Sequence, residues 1–174
     1  MTKTLGPGIR ILALDLHPQR YGFAVLETPA NLLDWGVRRR YRDRGSRRMS
    51  SIQKGLRLLL DMWRPSLVVI KESSRPKTAR MRRLLAGITR ESRQRRIPVR
   101  CLAEQSVRRA LGDESQATKH AMASTVCRHF PFLASALPSP RRAWESEDYR
   151  MHMFTAAALA LAGSTQRNTA NNQP

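Results

Sequence analysis

Acidic residues are scarce in this sequence. Its 174 residues include 13 Asp and Glu against 32 Lys and Arg, which gives a formal net charge of +19. Only five of the basic residues are lysine, so nearly all of the positive charge is carried by arginine. Guanidinium groups stay charged and bind phosphate with paired N–H donors, so this excess indicates a polyanionic partner, most simply nucleic acid. An acidic protein or a membrane surface is the alternative.

Cysteine and long apolar runs are also rare. The two cysteines, Cys101 and Cys127, lack the spacing of a metal-binding framework and lie in apolar segments. They are therefore predicted to be reduced core residues of a cytoplasmic protein. No apolar stretch is long enough to span a membrane, and residues 1–8, which lack a signal-peptide core, are predicted to be a flexible lead-in. The length favours a single domain.

The first half of the chain begins with three short apolar or alternating segments. An apolar run at 11–14 stops at Asp15, a polar turn follows, and further strands are predicted at 21–26 and 32–39. Short connections favour an antiparallel meander. Because an ionised carboxylate is rarely buried alone, Asp15 needs a buried arginine, a capping role or a metal ion.

Later segments alternate between helices and strands. Helices are predicted at 52–63, 78–95, 106–112 and 145–162, and another follows a cap at Ser115 or Thr118. Strands are predicted at 67–70 and 98–102. Residues 163–174 are polar and are predicted to be a disordered tail. The order predicts an α/β fold in which a three-stranded meander and parallel strands form a five-stranded mixed sheet flanked by helices.

Acids recur at three points of this pattern. Asp15 ends the first strand, Glu72 follows the fourth after an intervening Lys71, and Glu147 and Asp148 open the last predicted helix. If the first and fourth strands are neighbours, Asp15 and Glu72 are expected side by side. The two-residue period places Glu72 on the face of Ile70. Clustered carboxylates need a cation, and hard oxygen ligands suit Mg²⁺ or Mn²⁺.

Two such ions activate water and stabilise the leaving oxygen of a phosphodiester, which favours a nuclease. The predicted metal ligands are Asp15, Glu72 and Asp148. Glu147 is the alternative third acid, and acids in a first helical turn can instead serve the helix dipole. The remaining alternative is that this helix supplies no metal ligand.

The order of motifs resembles the ribonuclease H-like superfamily and, within it, the RuvC-like Holliday-junction resolvases. ILALD ends in Asp15, YGFAV follows at 21–25, VVIKE ends in Glu72, and ALALA closes the pattern at 158–162. The segment ATKHAM at 117–122 is similar to a family segment whose lysine, here Lys119, lies near DNA. The resemblance covers residues 9–162. It implies a metal-dependent endonuclease of branched DNA that acts as a homodimer, with helix 52–63 or helix 78–95 as the contact.

The sequence departs from the family pattern at three places. Leu16 and His17 stand where Pro-Gly is common, and Lys71 separates Glu72 from the apolar strand. The last helix lacks the family's two aspartates, whose positions fall near Phe154 and Ala157. These departures keep two alternatives open, namely a nucleic-acid-binding protein without catalysis and a nuclease of structured RNA.

Seven further residues are predicted to contact nucleic acid. Five of them are basic residues on or near the helices, one is an aromatic residue in the basic loop at 38–48, and one is a histidine two residues after Asp15. They are Lys77, Arg80, Arg82, Arg83, Lys119, Tyr41 and His17.

Overall fold

The computed structural model describes residues 8–28, 30–39, 51–72, 78–112, 118–142 and 144–170. Its strands are β1 (Arg10–Leu16), β2 (Arg20–Glu27), β3 (Asn31–Arg39), β4 (Leu67–Lys71) and β5 (Val99–Leu102). Its α-helices are α1 (Ser51–Trp63), α2 (Ala79–Gln94), α3 (Glu104–Ala110), α4 (Lys119–His129) and α5 (Met151–Ala170), and a 3₁₀ helix covers Pro131–Ala136. Tyr41, Lys77 and the first seven residues lie outside the described part.

The five strands form one mixed sheet in the order β3-β2-β1-β4-β5. β1 and β2 pair antiparallel, as do β2 and β3, because their connections are short. β4 runs parallel to β1, and β5 runs parallel to β4, since α1 and α2 provide the crossovers that parallel pairing requires. The predicted α/β fold with a five-stranded mixed sheet is therefore confirmed.

Each face of the sheet is covered by different helices. Along β1, Ile11 and Ala13 pack in a core that includes α5, whereas Leu12 and Leu14 pack against α1 and α2. Both faces are covered along β1, whose residues 11–14 are at most 1% exposed, as its continuous apolarity predicted. We refer below to the α5 face and the α1/α2 face of the sheet.

Helix α5 begins later and ends later than predicted. Residues 145–150 precede it, and residues 163–170, where a disordered tail was predicted, are helical. Its alanines allow close packing, and the Cα of Gly163 lies so near Val69 that an added Cβ would be 2.8 Å from the valine methyl. The helix therefore continues past the alanine-rich run because Gly163 and Ser164 are still buried in the structure.

The two cysteines are not core residues, contrary to the prediction. Cys101 is exposed, because it lies on the short last strand β5, and Cys127 is half-buried on α4. Both are free thiols. Among the described helices, none is long and apolar enough to cross a membrane.

Candidate functional site

Asp15 is buried near the end of the central strand β1, on the α5 face of the sheet. Its residue is 4% exposed, and its neighbour on β2 is Gly22. A side chain at position 22 would overlap the backbone of His152. The glycine therefore lets the first turn of α5 lie directly against the sheet next to the carboxylate.

Two histidines contact this carboxylate through the same oxygen. Nδ1 of His152 lies 2.8 Å from Oδ2 of Asp15, and Nε2 of His17 lies 3.3 Å from it. The two imidazole rings pack with their centroids 3.9 Å apart. One ligand atom from each of the three residues lies within 4.8 Å of the others, so Asp15, His17 and His152 form a group that can hold a metal ion.

The pKa of Asp15 lies well below its usual range. Burial alone would raise it, but hydrogen bonds with His152 and then His17, together with the charges of both rings, outweigh burial and lower it. Asp15 is therefore ionised at neutral pH, which is the form in which a carboxylate binds a cation.

Glu72 is not brought to Asp15. Ile70 is the register partner of Leu14, so continuing the register by one position places Lys71 level with Asp15. The N–H of Glu72 donates to the carbonyl of Leu102, just as the N–H of Val68 donates to that of Pro98. Glu72 therefore lies on the same face of the sheet as Val68. Val68 packs on the α1/α2 face, which is opposite to the face of Asp15.

The expected pair of neighbouring carboxylates is consequently absent from the described site. The physical reason is the extra residue in β4, since a shift of one position along a strand moves a side chain to the other face. The side chain level with Asp15 is Lys71, whose Nζ forms a 2.9 Å ion pair with Glu104 at the start of α3.

The acids before α5 bind cations of the protein itself. Both carboxylate oxygens of Glu147 contact Nζ of Lys119, at 2.9 and 2.7 Å. Asp148 contacts the guanidinium of Arg150 at 2.9 Å and accepts its backbone N–H, and these hydrogen bonds lower the pKa of Asp148. Neither acid belongs to the group around Asp15. The prediction that one of them completes a metal site with Asp15 is not met in this arrangement.

The predicted nucleic-acid contacts fall into three groups. Arg80, Arg82 and Arg83 are exposed on α2. Lys119 is half-buried and paired with Glu147. His17 belongs to the Asp15 group, while Tyr41 and Lys77 are outside the described residues.

His152 is the member of this group that the sequence pattern did not single out. A lone helical histidine is more often structural, and its contact with Asp15 joins residues 137 positions apart. A signal was nevertheless present, because His152 is the only ionisable side chain between Arg150 and Arg167. The apolar helix that contains it lies against the central strand.

Comparison with known proteins finds likeness in structure but none in sequence families. No family model matches the chain, and no curated protein matches it either. The structure is similar to Thermus thermophilus RuvC, with a TM-score of 0.68, 17% identity, and coverage of 93% of this chain and 97% of that one. The same protein in complex with Holliday junction substrate gives a TM-score of 0.67 at 18% identity, with coverage of 92% and 96%.

A viral structure extends the comparison. The Fowlpox virus resolvase in complex with its Holliday junction DNA gives a TM-score of 0.56 at 8% identity, covering 91% of this chain and 99% of that one. The chain has the ribonuclease H-like fold of these resolvases. At these identities the likeness concerns the fold, so it confirms the predicted resemblance at that level, and the chemistry must be argued from the residues of this chain.

Proposed function

We propose that this protein is a divalent-metal-dependent endonuclease that hydrolyses phosphodiester bonds of branched DNA, as the predicted resemblance implies. The observation that carries the proposal is the buried, ionised Asp15 between His17 and His152. This group lies at the end of the central strand of a fold that matches resolvases along nearly the whole chain. We place the activity in the cytoplasm, in keeping with the free cysteines.

The ligand atoms of Asp15, His17 and His152 favour a single transition-metal ion such as Mn²⁺. Asp15 offers a carboxylate oxygen, and His17 and His152 offer imidazole nitrogens, a mixture that suits first-row transition ions better than Mg²⁺, which prefers oxygen alone. The expected pair of Mg²⁺ ions would need further carboxylates beside Asp15, and the described residues supply none there. When bound, the ion would supply Lewis-acid stabilisation of the charge that develops on a phosphodiester.

The residues of the chain prepare this site in two ways. Burial of Asp15 and the packing of α5 on Gly22 hold the carboxylate and His152 in fixed positions before substrate arrives. The two imidazoles keep Asp15 ionised, and in their neutral forms they are the ligands that a transition ion requires.

DNA binding is assigned to the exposed arginines. Arg80, Arg82 and Arg83 lie on α2, and a net charge of +19 attracts a polyanion of any sequence. A symmetric junction presents two cleavage positions, which favours a homodimer. Helix α1 is the better contact, because it exposes Leu58 and Met62, 56% and 58% accessible, whereas α2 exposes like charges.

A junction-binding protein without catalysis is the second candidate. Two observations favour this candidate. Lys71, a cation, lies level with Asp15, and Glu72 lies on the other face of the sheet. In that case the Asp15 group would stabilise the contact between β1 and α5, and Mg²⁺ or Mn²⁺ would leave DNA binding unchanged.

Cleavage assays distinguish these functions. A labelled four-way junction, a matched duplex and an RNA hairpin are incubated with Mg²⁺, Mn²⁺ or EDTA and with wild-type protein or Asp15→Asn. The proposal expects Mn²⁺-stimulated cutting of the junction that is lost in Asp15→Asn, while junction affinity is kept.

Three other outcomes would reject the proposal. Tight junction binding without cutting under either metal would establish the binding protein. Preferential cutting of the hairpin at matched salt would identify a structured-RNA nuclease. Cutting by Asp15→Asn at the wild-type rate would place the chemistry elsewhere.

A further inference from the structure

An exposed tyrosine lies one turn before the histidine of the Asp15 group. The carbonyl of Tyr149 accepts the N–H of His152 at 3.3 Å. The two residues therefore lie one turn apart in the segment that leads into α5. The tyrosine is 42% exposed although it is a large aromatic side chain. Packing in the hydrophobic core therefore does not account for the position of the Tyr149 ring. The nearby His152 is the residue that contacts Asp15.

A cation lies over the ring of this tyrosine. The guanidinium carbon of Arg39, at the end of β3, is 4.9 Å from the centre of the Tyr149 ring. A cation at this distance is attracted by the ring electrons and orients the side chain. The pair therefore combines a planar aromatic surface with an exposed positive charge.

The sheet register places this pair on the side of Asp15. Asp15 is paired with Gly22, and Gly22 with Val37; Val37 packs on the α5 face. Arg39 is two residues beyond Val37 and so shares that face, and its own partner is Arg20. The carbonyl of Arg20 accepts the N–H of His17 at 2.9 Å. Arg20 thus lies between the metal-ligand group and Arg39.

The spacing matches a short length of nucleic-acid strand. Two interstrand separations put the backbone of Arg39 about 10 Å from β1, a distance that a few nucleotides of one strand can span. A phosphate held near Asp15 would leave neighbouring phosphates near Arg20 and Arg39, and the base that follows would reach Tyr149.

We propose that Tyr149 and Arg39 form a platform for an unpaired base next to the cleaved phosphate, in which Tyr149 stacks on the base and Arg39 holds a phosphate. The inference deepens the proposed nuclease function and rests on it. At a branch point bases are released from the stack at lower cost than within a duplex. The platform therefore gives the protein a preference for branched over continuous DNA.

The test compares DNAs that differ only in the base at the branch. Affinities are measured by fluorescence anisotropy in EDTA at one salt concentration, so that cleavage and ionic strength do not vary. The probes are a four-way junction, the same junction with abasic nucleotides at the crossover, and the matched duplex. The proteins are wild type, Tyr149→Ala, Tyr149→Phe and Phe132→Ala.

Phe132→Ala is the matched control. Phe132 is another exposed aromatic residue, 53% accessible, and it packs on Trp35. Trp35 shares the edge strand with Arg39 but lies four residues away, about 13 Å along the strand. Loss of a ring at this site should leave all three affinities as in wild type.

Tyr149→Ala should weaken binding of the intact junction about tenfold, because stacking of one base on an aromatic ring is worth about that factor. The same variant should bind the abasic junction and the duplex as wild type does. Tyr149→Phe should keep the wild-type affinity for all three, since the ring is retained. Wild type itself should lose about tenfold on the abasic junction.

Two results would overturn the platform. One is binding of all three DNAs by Tyr149→Ala as by wild type. The other is an equal weakening of all three, which would indicate a structural role. These outcomes are distinguishable from failure of the nuclease proposal. A protein that cuts junctions without dependence on Tyr149 loses only the platform, whereas base-dependent binding through Tyr149 without cutting loses only the nuclease.

Discussion

Asp15 and Glu91 are the buried carboxylates of the described chain, and they lie on opposite sides of the sheet. Asp15 is 4% exposed under α5, and Glu91 is 6% exposed between α1 and α2. Both are ionised, since both pKa values lie below the usual range. They differ in the chemistry of the groups that neutralise them.

Glu91 is bound by guanidinium groups. Arg57 contacts both of its oxygens, at 3.1 and 2.6 Å, and Arg95 contacts one of them at 2.8 Å. Arg95 also bridges to Asp61 at 2.7 Å. Arginine does not lose its proton in proteins, so these contacts persist as long as Glu91 is ionised, and they join α1 to α2.

Asp15 is bound by imidazoles, whose neutral form is a common metal ligand. The negative charge of Glu91 is therefore held in ion pairs on the α1/α2 face, whereas that of Asp15, on the α5 face, can bind a metal ion. Burial of an acid alone does not identify a functional site. The groups that contact the acid identify it.

The largest difference between the two acids is expected in catalysis. Asp15→Asn should lower Mn²⁺-dependent junction cleavage by more than about 100-fold, because loss of a group that merely orients a ligand already costs about 10- to 100-fold. Glu91→Gln should cleave as wild type does when rates are normalised to folded protein. Gel assays of both variants check this, and a large loss in Glu91→Gln alone would reverse the comparison.

Stability should show the opposite order. Glu91→Gln removes charged hydrogen bonds and leaves Arg57 and Arg95 uncompensated, so the free energy of unfolding should fall by about 2 kcal/mol. For a chain of this length the melting temperature should fall by about 4–8 °C. Asp61→Asn is the control, because Asp61 is 56% exposed and should cost under about 1 kcal/mol. Equal effects of the two variants would show that burial of Glu91 is unimportant.

Acid should remove the contribution of Glu91 in a defined range. Hydrogen bonds from Arg57 and then Arg95 lower the pKa of Glu91 from 4.5 to about 2. Because the folded-state pKa lies below the unfolded one, the stabilisation is complete above about pH 4.5 and is lost as the pH falls towards about 2. The difference in melting temperature between wild type and Glu91→Gln should therefore shrink across this range. A constant difference would contradict the ion pair as its cause.

The smallest effect is expected at Lys119, the predicted DNA contact that Glu147 neutralises. Glu147→Gln should free the ammonium group, raise junction affinity a few-fold, and steepen the dependence of log affinity on log salt concentration by about one unit. In the Lys119→Gln background the same change should have no effect. A gain in affinity that persists there would show that Glu147 repels DNA directly.

The fold could be predicted from the sequence because its signals are local. Alternation, apolar runs and short turns indicated β1, β2 and β3. Ser115 or Thr118 was predicted to cap the fourth helix, and the structure has Thr118 as the cap of α4. Asp15 stood out since an acid that ends a fully apolar strand needs a partner.

The site was harder because its contacts are long-range. The face of Glu72 relative to Asp15 depends on the register between β1 and β4, which neither strand specifies alone. Glu147 pairs with Lys119, 28 residues away, and not with Asp15. The partnership of His152 with Asp15 likewise arises only when the last helix packs on the first strand.

Metal binding is the most direct test of the site at Asp15, because it does not depend on substrate. Titration of Mn²⁺ into the intact protein, followed by the electron paramagnetic resonance of free Mn²⁺, should give one site per chain. Asp15→Asn and His152→Gln should each weaken that site more than tenfold, and Glu91→Gln should leave it unchanged. Equal Mn²⁺ binding by wild type and Asp15→Asn would contradict the assignment of Asp15, His17 and His152 as a metal centre.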